Sequence, residues 1–420
     1  MTLLAPAAAF AQAGGITRTK LPNGLTVIVR ENAAAPVVAY SLMVKMGTRT
    51  ETRDTAGITN LLQLMLVRGT EKMDGEQIAE TADRMGGSID AYGDADYSEI
   101  TATALSRNWQ EMLELVGDVA LRPTLPAGTV QAVRDFIVRQ IRNRGDKPFD
   151  VASDKMRAAL FGSNPYAWDP LGRPESVEKL DRAALLAYYK RYYVPGQMVL
   201  AVSGDVKSAE VVSQVQRIFG GMPAGKVELP PVPAPPAMAA TRDVFVVPGA
   251  QAQILMGALA PALTHPDHPP LKVLTSVLGG GMASRFFSEL RDQQALAYTT
   301  LAQYPSRVDT SAFVAILGTA PENVAKAEPA LVEQLERIRN QQASAEEVAV
   351  ARAYVLGSQA MDRRTNARQA WYLAFYEIAG VGYEFLDRYA ADVKKVTPAD
   401  VQRVAQKYLG VLRTVIVQPK

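Results

Sequence analysis

Apolar residues along this chain follow two periods, one typical of strands and one typical of helices. Near the start, Pro22, Asn23 and Gly24 separate two runs of alternating apolar residues between Ile16 and Glu31. Asn-Gly between alternating runs is a strong hairpin signal, because both residues tolerate the backbone conformation that a tight turn requires. The same two periods predict the remaining elements of the first half. These are strands at Val37–Lys45, within Ser88–Leu105 and at Met198–Ser203, and helices at Ala56–Val67, Glu76–Met85, Trp109–Ala120, Ala127–Arg144 and Arg182–Tyr192.

The second half of the chain repeats this outline. It has predicted strands at Val244–Val247, Ala252–Ala258, Ala297–Ala302, Ala312–Leu317 and Arg413–Gln418, and predicted helices at Pro270–Val277, Glu322–Asn340, Ala345–Met361 and Pro398–Tyr408. Each half closes with a helix followed by a strand, which indicates an internal duplication. Hairpins and meanders dominate, and strict strand–helix alternation is absent. The pattern therefore predicts an α+β fold of two sandwich domains, each a mixed, mostly antiparallel sheet with helices packed on it.

A proline-rich segment, residues 221–240, lies near the middle of the chain. Proline lacks the backbone N–H and stiffens the chain, so such a run is typical of a semi-rigid, extended linker. The predicted organisation is a first domain over residues 14–220, this linker, and a second domain over residues 241–420.

Composition narrows the possible functions. The chain has 420 residues, a formal net charge of +2 and no cysteine. Basic tracts interleaved with aromatic residues are absent, which argues against nucleic acid as a partner. Without cysteine the chain can form neither a disulfide nor a thiolate metal site. No stretch approaches the run of about 18 apolar residues that a membrane-spanning helix requires.

The first residues carry a partial export signal. Leu3–Phe10 is an apolar run followed by Ala11-Gln12-Ala13, and an apolar segment that ends in A-x-A is the cleavage pattern of a secretory signal peptide. The basic segment that normally precedes the apolar run is missing. We expect residues 1–13 to be the remnant of a signal peptide and the protein to be periplasmic or secreted. The alternative is an alanine-rich N-terminus of a cytoplasmic protein.

Five stretches, in this order, resemble the pitrilysin/insulinase family of zinc peptidases, the inverted zincins, in its short two-domain form. They are LPNGLTVIVREN at 21–32, MGTRTETRDTAGITNLLQLMLVRGT at 46–70, MGGSIDAYGDADYSEITATAL at 85–105, YYVPGQMVLAVSGDV at 192–206 and LGGGMASRFFSELRDQQALAY at 278–298. The resemblance covers nearly the whole chain after residue 15.

Active members of this family carry the motif H-x-x-E-H on a helix. The two His bind Zn²⁺ from one helical face, and the Glu between them is the general base for the metal-bound water. A Glu from a later helix is the third ligand. The resemblance places Asn60, Gln63 and Leu64 at the three motif positions and Gln140 at that of the later Glu.

None of these four residues supplies the required chemistry. A neutral amide is a poor ligand for Zn²⁺, leucine has no lone pair, and glutamine cannot accept a proton near neutral pH. We therefore predict no zinc, no catalytic residue and no cofactor in this chain.

Two other segments raise the question of a bound ion. His265 and His268, the only histidines, lie around Asp267, but a Pro-rich start of the following helix accounts for them better than a metal site. Gly279-Gly280-Gly281 lacks the rest of a phosphate-binding loop. This glycine run is more typical of a tight turn where two backbones approach closely.

Arg291 and Tyr298 match a pair that, in the resembled family, comes from the half opposite the zinc and hydrogen-bonds the peptide substrate. A guanidinium and a phenol are suitable donors to a carbonyl oxygen. The resemblance thus implies a non-catalytic subunit of a heterodimeric zinc peptidase. A homologous subunit would carry the zinc and the base, and this chain would hold the peptide. The alternative is a scaffold or peptide-binding protein of the same fold with no peptidase role.

Aromatic and basic residues recur on a predicted helix that contains Arg363, Arg364, Arg368, Trp371, Tyr372, Phe375 and Tyr376. Aromatic residues at helical spacing favour core packing, and an interface or a substrate chamber is the alternative. Tyr92 and Tyr97, on predicted strands near the degenerate motif, are candidates to border an edge that binds an extended peptide.

Overall fold

The computed structural model describes residues 10–12 and 15–419. The predicted signal segment, residues 1–13, lies outside the described residues except for Phe10–Gln12. The described residues form twelve strands in two sheets. They are β1 Phe10–Gln12, β2 Ile16–Lys20, β3 Thr26–Glu31, β4 Val37–Val44, β5 Ser88–Gly93, β6 Ser98–Leu105, β7 Met198–Gly204, β8 Thr241–Val247, β9 Ala252–Ala260, β10 Thr299–Gln303, β11 Ser311–Thr319 and β12 Arg413–Pro419.

The described α-helices number fourteen. They are α1 Ile58–Leu66, α2 Gly75–Arg84, α3 Trp109–Leu121, α4 Ala127–Arg144, α5 Pro148–Phe161, α6 Pro174–Val177, α7 Arg182–Tyr192, α8 Ser208–Phe219, α9 His268–Gly279, α10 Val324–Asn340, α11 Ala345–Asp362, α12 Asn366–Ile378, α13 Phe385–Lys395 and α14 Pro398–Tyr408. A π-helix spans Phe286–Gln293, and single 3₁₀ turns occur at Thr48–Thr50, Arg53–Thr55, Ser106–Asn108, Pro165–Ala167, Pro195–Gln197 and Pro321–Asn323.

The chain divides into two compact units whose segments are not contiguous in sequence. The first unit runs to Arg139 and adds Asp169–Pro231 and Asp362–Phe385; the second comprises Gln140–Trp168, Val232–Met361 and the chain from Leu386 onward. The predicted domains, 14–220 and 241–420, are continuous stretches of sequence, whereas the two units are defined by which segments pack together. Each unit therefore contains one segment from the other half of the sequence.

The first unit is built on a seven-stranded sheet in the order β1-β2-β3-β7-β4-β6-β5. The β3–β7 pair is parallel and the other pairs are antiparallel. Leu21 N–H bonds to Leu25 O at 2.8 Å, which closes the hairpin predicted at Pro22–Gly24. Helix α12 lies on β4 and β7 and buries Ala370, Leu373 and Ala374.

The second unit is built on a five-stranded sheet in the order β10-β11-β9-β12-β8, with β8–β12 as its parallel pair. Helix α5 lies on β9 and β12 and buries Ala152, Met156 and Leu160. A Cβ on Gly257 of β9 would lie 2.7 Å from the sulfur of Met156, so a larger residue there would force the Met156 side chain to move.

Two mixed, mostly antiparallel sheets with helices packed on them confirm the predicted α+β fold class. The helices α5, α6, α8 and α13 were not predicted. Helix α8 buries Val211, Val215 and Phe219, an i, i+4, i+8 pattern that was present in the sequence. Residues 223–240 form no helix or strand. No helix of the described part of the chain is long and apolar enough to span a bilayer.

We expect Phe313→Ala to destabilise the second unit strongly, because Phe313 on β11 is fully buried. Truncating a core phenylalanine costs about 3–5 kcal/mol in the free energy of unfolding. The matched control is Phe136→Ala on α4, where the ring is 47% exposed. Urea unfolding followed by circular dichroism measures both variants. Equal losses in the two would contradict the assigned core.

Candidate functional site

The start of helix α1 is fixed by a buried carboxylate. Glu51, 4% exposed, accepts hydrogen bonds from Gly57 N at 2.9 Å and Thr59 N at 3.0 Å. These bonds satisfy two of the N–H groups that a helix start leaves free. Gly57 has φ of +93°, and a Cβ there would lie 2.7 Å from Leu171 O. The backbone at the degenerate motif is therefore held firmly in place.

All three motif positions of the first unit lie on α1. Gln63 is fully buried, donating from Nε2 to the Tyr193 hydroxyl at 3.0 Å and accepting from that hydroxyl at Oε1 at 3.2 Å. Burial raises the pKa of Tyr193, so the phenol stays neutral. Asn60 is half-buried, and its Nδ2 has no hydrogen-bond partner among the described residues. Leu64, also half-buried, completes a face with no ligand for a metal.

The fourth position, Gln140, lies on α4. It is half-buried near the C-terminal end of that helix and is the first residue of the second unit. No group of three or more His, Asp or Glu side chains placed to hold a metal ion occurs in residues 10–12 and 15–419.

A buried carboxyl lies on the strands next to α1. Gly93 at the end of β5 touches the helix, since a Cβ on it would lie 2.8 Å from Thr59 Cγ2. Glu99 on β6, 1% exposed, accepts from Ser41 Oγ at 2.5 Å and from the Tyr92 hydroxyl. Burial raises the pKa of Glu99 although both hydrogen bonds and the charge of Arg368 work against this. Sequence analysis did not single out Glu99, which has no motif around it.

The two tyrosines that sequence analysis marked have different environments. Tyr92 is 37% exposed on β5, which is the edge strand of its sheet. Tyr97 is buried, its hydroxyl accepting from Trp371 Nε1 at 2.9 Å and its ring packing edge-to-face on Phe375. Phe375 and Tyr376 of α12 are buried as well, so much of this aromatic stretch is core.

In the second unit, Arg291 lies on the π-helix Phe286–Gln293. π-Helical turns are rare and occur frequently at functional sites. Ion pairs fix this one: Arg285, 7% exposed, bonds Glu347 at 2.7 Å, and Glu289 is bonded by Arg337 at 2.8 Å. Burial opposes the charged form of Glu289, but the hydrogen bonds from Arg337 and Gln334 outweigh it and lower its pKa.

Arg291 itself is exposed, and its guanidinium lies over the ring of Phe287, 4.7 Å from the centroid. It makes no hydrogen bond or ion pair with any described residue. Its donors are therefore oriented by the ring and free for a ligand.

Tyr298 directly precedes β10, which begins at Thr299 rather than at the predicted Ala297. The turn before it holds Ala295 at φ +51°, an uncommon conformation for a residue with a side chain. Tyr298 N–H bonds to Gly318 O at 2.9 Å, which anchors the backbone, while the side chain is 60% exposed. The phenol has no hydrogen-bond partner among the described residues. Arg291 and Tyr298 thus lie on adjoining elements of one unit.

The histidine pair has structural roles. His268 is buried, 3.0 Å from Ser306 Oγ and packed on Tyr304. Asp267 binds Arg403, Lys407 and Tyr408 of α14, and these hydrogen bonds lower its pKa to about 2 although burial opposes the charged form. The glycine run is a close approach, because a Cβ on Gly279 would lie 2.3 Å from Ala302 N.

Two family models match the chain. Residues 26–173 match the model described as insulinase (peptidase family M16), and residues 179–355 match the model described as peptidase M16 inactive domain. The second model describes a type of domain. Its match covers the part of this chain that contains Arg291 and Tyr298.

Relatives and solved structures agree with these matches. An uncharacterized zinc protease of Mycobacterium leprae is 27% identical over 408 residues, covering 95% of this chain and 91% of that protein. An uncharacterized zinc protease of Bacillus subtilis is 25% identical over 344 residues, which cover 82% of this chain and 83% of that protein. A protease from Helicobacter pylori has the same fold, with a TM-score of 0.91 and 21% identity over 96% of this chain and 99% of that one. The structure described as a peptidase M16 inactive domain from Pseudomonas fluorescens has a TM-score of 0.89 and 20% sequence identity. The match covers 96% of this chain and 98% of that one.

The Gln63–Tyr193 pair predicts a non-additive mutational effect. Tyr193→Phe leaves the buried amide of Gln63 without its partner, which should cost about 1–3 kcal/mol in the free energy of unfolding. The double variant Gln63→Leu with Tyr193→Phe removes both polar groups and should recover most of this loss. Chemical denaturation of the single and double variants measures the coupling. Simple addition of the two single effects would argue against the pair.

Proposed function

Because the chain belongs to the M16 (insulinase) peptidase family, we propose that it is the non-catalytic subunit of a heterodimeric zinc peptidase. In this proposal Arg291 and Tyr298 hold the peptide substrate, and a homologous subunit supplies the zinc ion and the general base. The proposal rests on one contrast within the chain. The helix at the motif position carries no zinc ligand, whereas an arginine and a tyrosine in the second unit carry donors that no described residue uses.

The chemistry of the pair suits the hydrogen-bonding of a peptide. Arg291 presents a planar, permanently charged set of donors, and Tyr298 presents a neutral hydroxyl. A peptide carbonyl that gains negative charge during attack by water is stabilised by such donors. Their backbones are fixed by the ion pairs of the π-helix and by the Tyr298–Gly318 hydrogen bond. Little reorganisation is then needed when a peptide binds.

The degenerate helix supports a division of labour between subunits. The zinc-binding chemistry is missing at Asn60, Gln63 and Leu64, yet the relatives that match the chain over most of its length are named zinc proteases. A subunit with the fold but without the ligands can contribute to hydrolysis only beside a chain that carries them. In the proposed heterodimer this chain therefore binds substrate and requires a partner for hydrolysis.

We expect the purified chain to hydrolyse no peptide alone and to support hydrolysis when mixed with a homologous subunit that carries H-x-x-E-H. In the mixture, Arg291→Ala and Tyr298→Phe should each lower kcat/KM by roughly tenfold to a hundredfold, because donors to a developing negative charge are lost. Cleavage of a fluorogenic peptide library measures both effects.

The matched controls are Arg107→Ala and Tyr354→Phe, an exposed arginine and an exposed tyrosine with no place in the proposed site. Both should retain the activity of the mixture. If the mixture is active but indifferent to Arg291 and Tyr298, the assigned roles are wrong. If no mixture is active, the scaffold alternative replaces the heterodimer.

Metal analysis gives a separate prediction. After incubation with Zn²⁺ and dialysis, the lone chain should retain substoichiometric zinc, since Asn60, Gln63, Leu64 and Gln140 offer no imidazole or carboxylate. The zinc-bearing subunit, treated identically, should retain one ion. Stoichiometric zinc and chelator-sensitive hydrolysis by the lone chain would overturn the proposal.

A further inference from the structure

Two arginines of the first unit lie close together without an acidic partner. Arg30 on β3 and Arg363, just before α12, are both half-buried. Buried nitrogens of both, Nη1 of Arg30 and Nε of Arg363, have no hydrogen-bond partner among the described residues. A desolvated guanidinium N–H without an acceptor is unfavourable, so an acceptor from outside the described chain would stabilise both.

Hydrogen bonds of the neighbouring residues bring the segments of Arg30 and Arg363 together. Arg30 pairs in register with Ser203 on β7, and Ser203 Oγ donates to Asn366 Oδ1 at 3.1 Å. Asn32, two residues after Arg30, donates to the same oxygen at 2.8 Å. Asn366 thus joins the end of β3 to the first residue of α12, and Arg363 precedes it by three residues.

The acidic residues next to both arginines in sequence are hydrogen-bonded to other groups. Glu31 accepts from Ser208 N at 2.9 Å, on the side of the sheet where α8 begins. Asp362 binds Arg368 at 2.6 Å and the Tyr372 hydroxyl at 2.7 Å. Arg18 on the neighbouring strand differs, since Glu377 neutralises it at 2.6 Å. The positive charge of Arg30 and Arg363 is therefore left uncompensated.

Electrostatics agree with this geometry. Burial lowers the pKa of Arg30, and the positive charge of Arg363 lowers it further, which indicates that the two guanidinium groups repel each other. Both lie at the N-terminal end of α12, a helix of 13 residues whose dipole adds positive potential there. An anion between the guanidinium groups would relieve the repulsion.

We propose that Arg30 and Arg363 form a binding site for an oxyanion, and that its ligand is a carboxylate of a bound peptide. The planar donor set of arginine matches the two oxygens of a carboxylate in a bidentate arrangement. The choice of a peptide rests on the proposed function. The oxyanion site itself does not, and inorganic phosphate offers the same oxygen chemistry.

Calorimetric titration of the full chain with three matched peptides tests the proposal. One peptide has a free C-terminal carboxylate, its twin is C-terminally amidated, and a third is amidated but contains one internal Glu. A peptide with a carboxylate should bind on the order of tenfold more tightly than the neutral twin. The advantage should disappear in Arg30→Gln with Arg363→Gln and persist in the control Arg107→Gln.

Inorganic phosphate distinguishes the source of the anion. If phosphate binds in an Arg30- and Arg363-dependent manner but the three peptides bind equally, the oxyanion site stands and the peptide assignment is wrong. If neither phosphate nor a peptide carboxylate depends on the two arginines, the site is refuted. Neither outcome touches the proposed function, which depends on Arg291 and Tyr298 in the activity of the mixture.

Stability separates a binding role from a structural one. In buffer free of oxyanions, Arg30→Gln should not lower the melting temperature, because it removes a like-charge repulsion. Phosphate should raise the melting temperature of the wild-type chain and leave that of the double variant unchanged. A lower melting temperature of Arg30→Gln without any anion would show that Arg30 has a structural partner and would overturn the proposal.

Discussion

Each sheet of this protein depends on a helix that comes from the other half of the sequence. Helix α12 covers β4 and β7 in the first unit, and α5 covers β9 and β12 in the second. A sheet with one uncovered apolar face is unstable in water, so each half would lack part of its core without the exchanged helix. The core of each unit is therefore complete only when a helix from the other half of the sequence packs on its sheet. The same packing places Asp362–Arg368 in the first unit, although this segment comes from the second half of the sequence.

The contacts of helix α1 show how this part of the first unit is held in place. Gln63 and Tyr193 satisfy each other in the core, and Glu51 still caps the helix that would carry the ligands. A buried amide is tolerated only when it is hydrogen-bonded, so the glutamine position is now part of the core. Asn60 is the exception, because its buried Nδ2 remains without a partner. The contacts of this helix are thus mostly structural.

The sequence predicted the parts of the fold that depend on local pattern. The hairpin at Pro22–Gly24, the class of the fold and most helices follow from periodicity and turn chemistry. The sequence could not predict the π-helix. Over eight residues, the apolar spacing of a helix with i, i+5 hydrogen bonds looks the same as that of an α-helix. Nor could it predict the Glu289–Arg337 ion pair, whose members lie 48 positions apart. Glu99 was missed for a related reason, since burial of a strand carboxylate depends on what covers the sheet.

The arginines of the two units fall into two groups that the sequence does not separate. Arg285 and Arg337 are paired with Glu347 and Glu289 and stabilise the π-helix. Arg291, Arg30 and Arg363 have no acidic partner among the described residues. An exposed guanidinium such as Arg291 costs little because water solvates it, and it remains ready to donate. A half-buried pair such as Arg30 and Arg363 is unfavourable for folding, since desolvation and repulsion act together. Stability alone does not account for such a pair, whereas an anion received from outside the chain does.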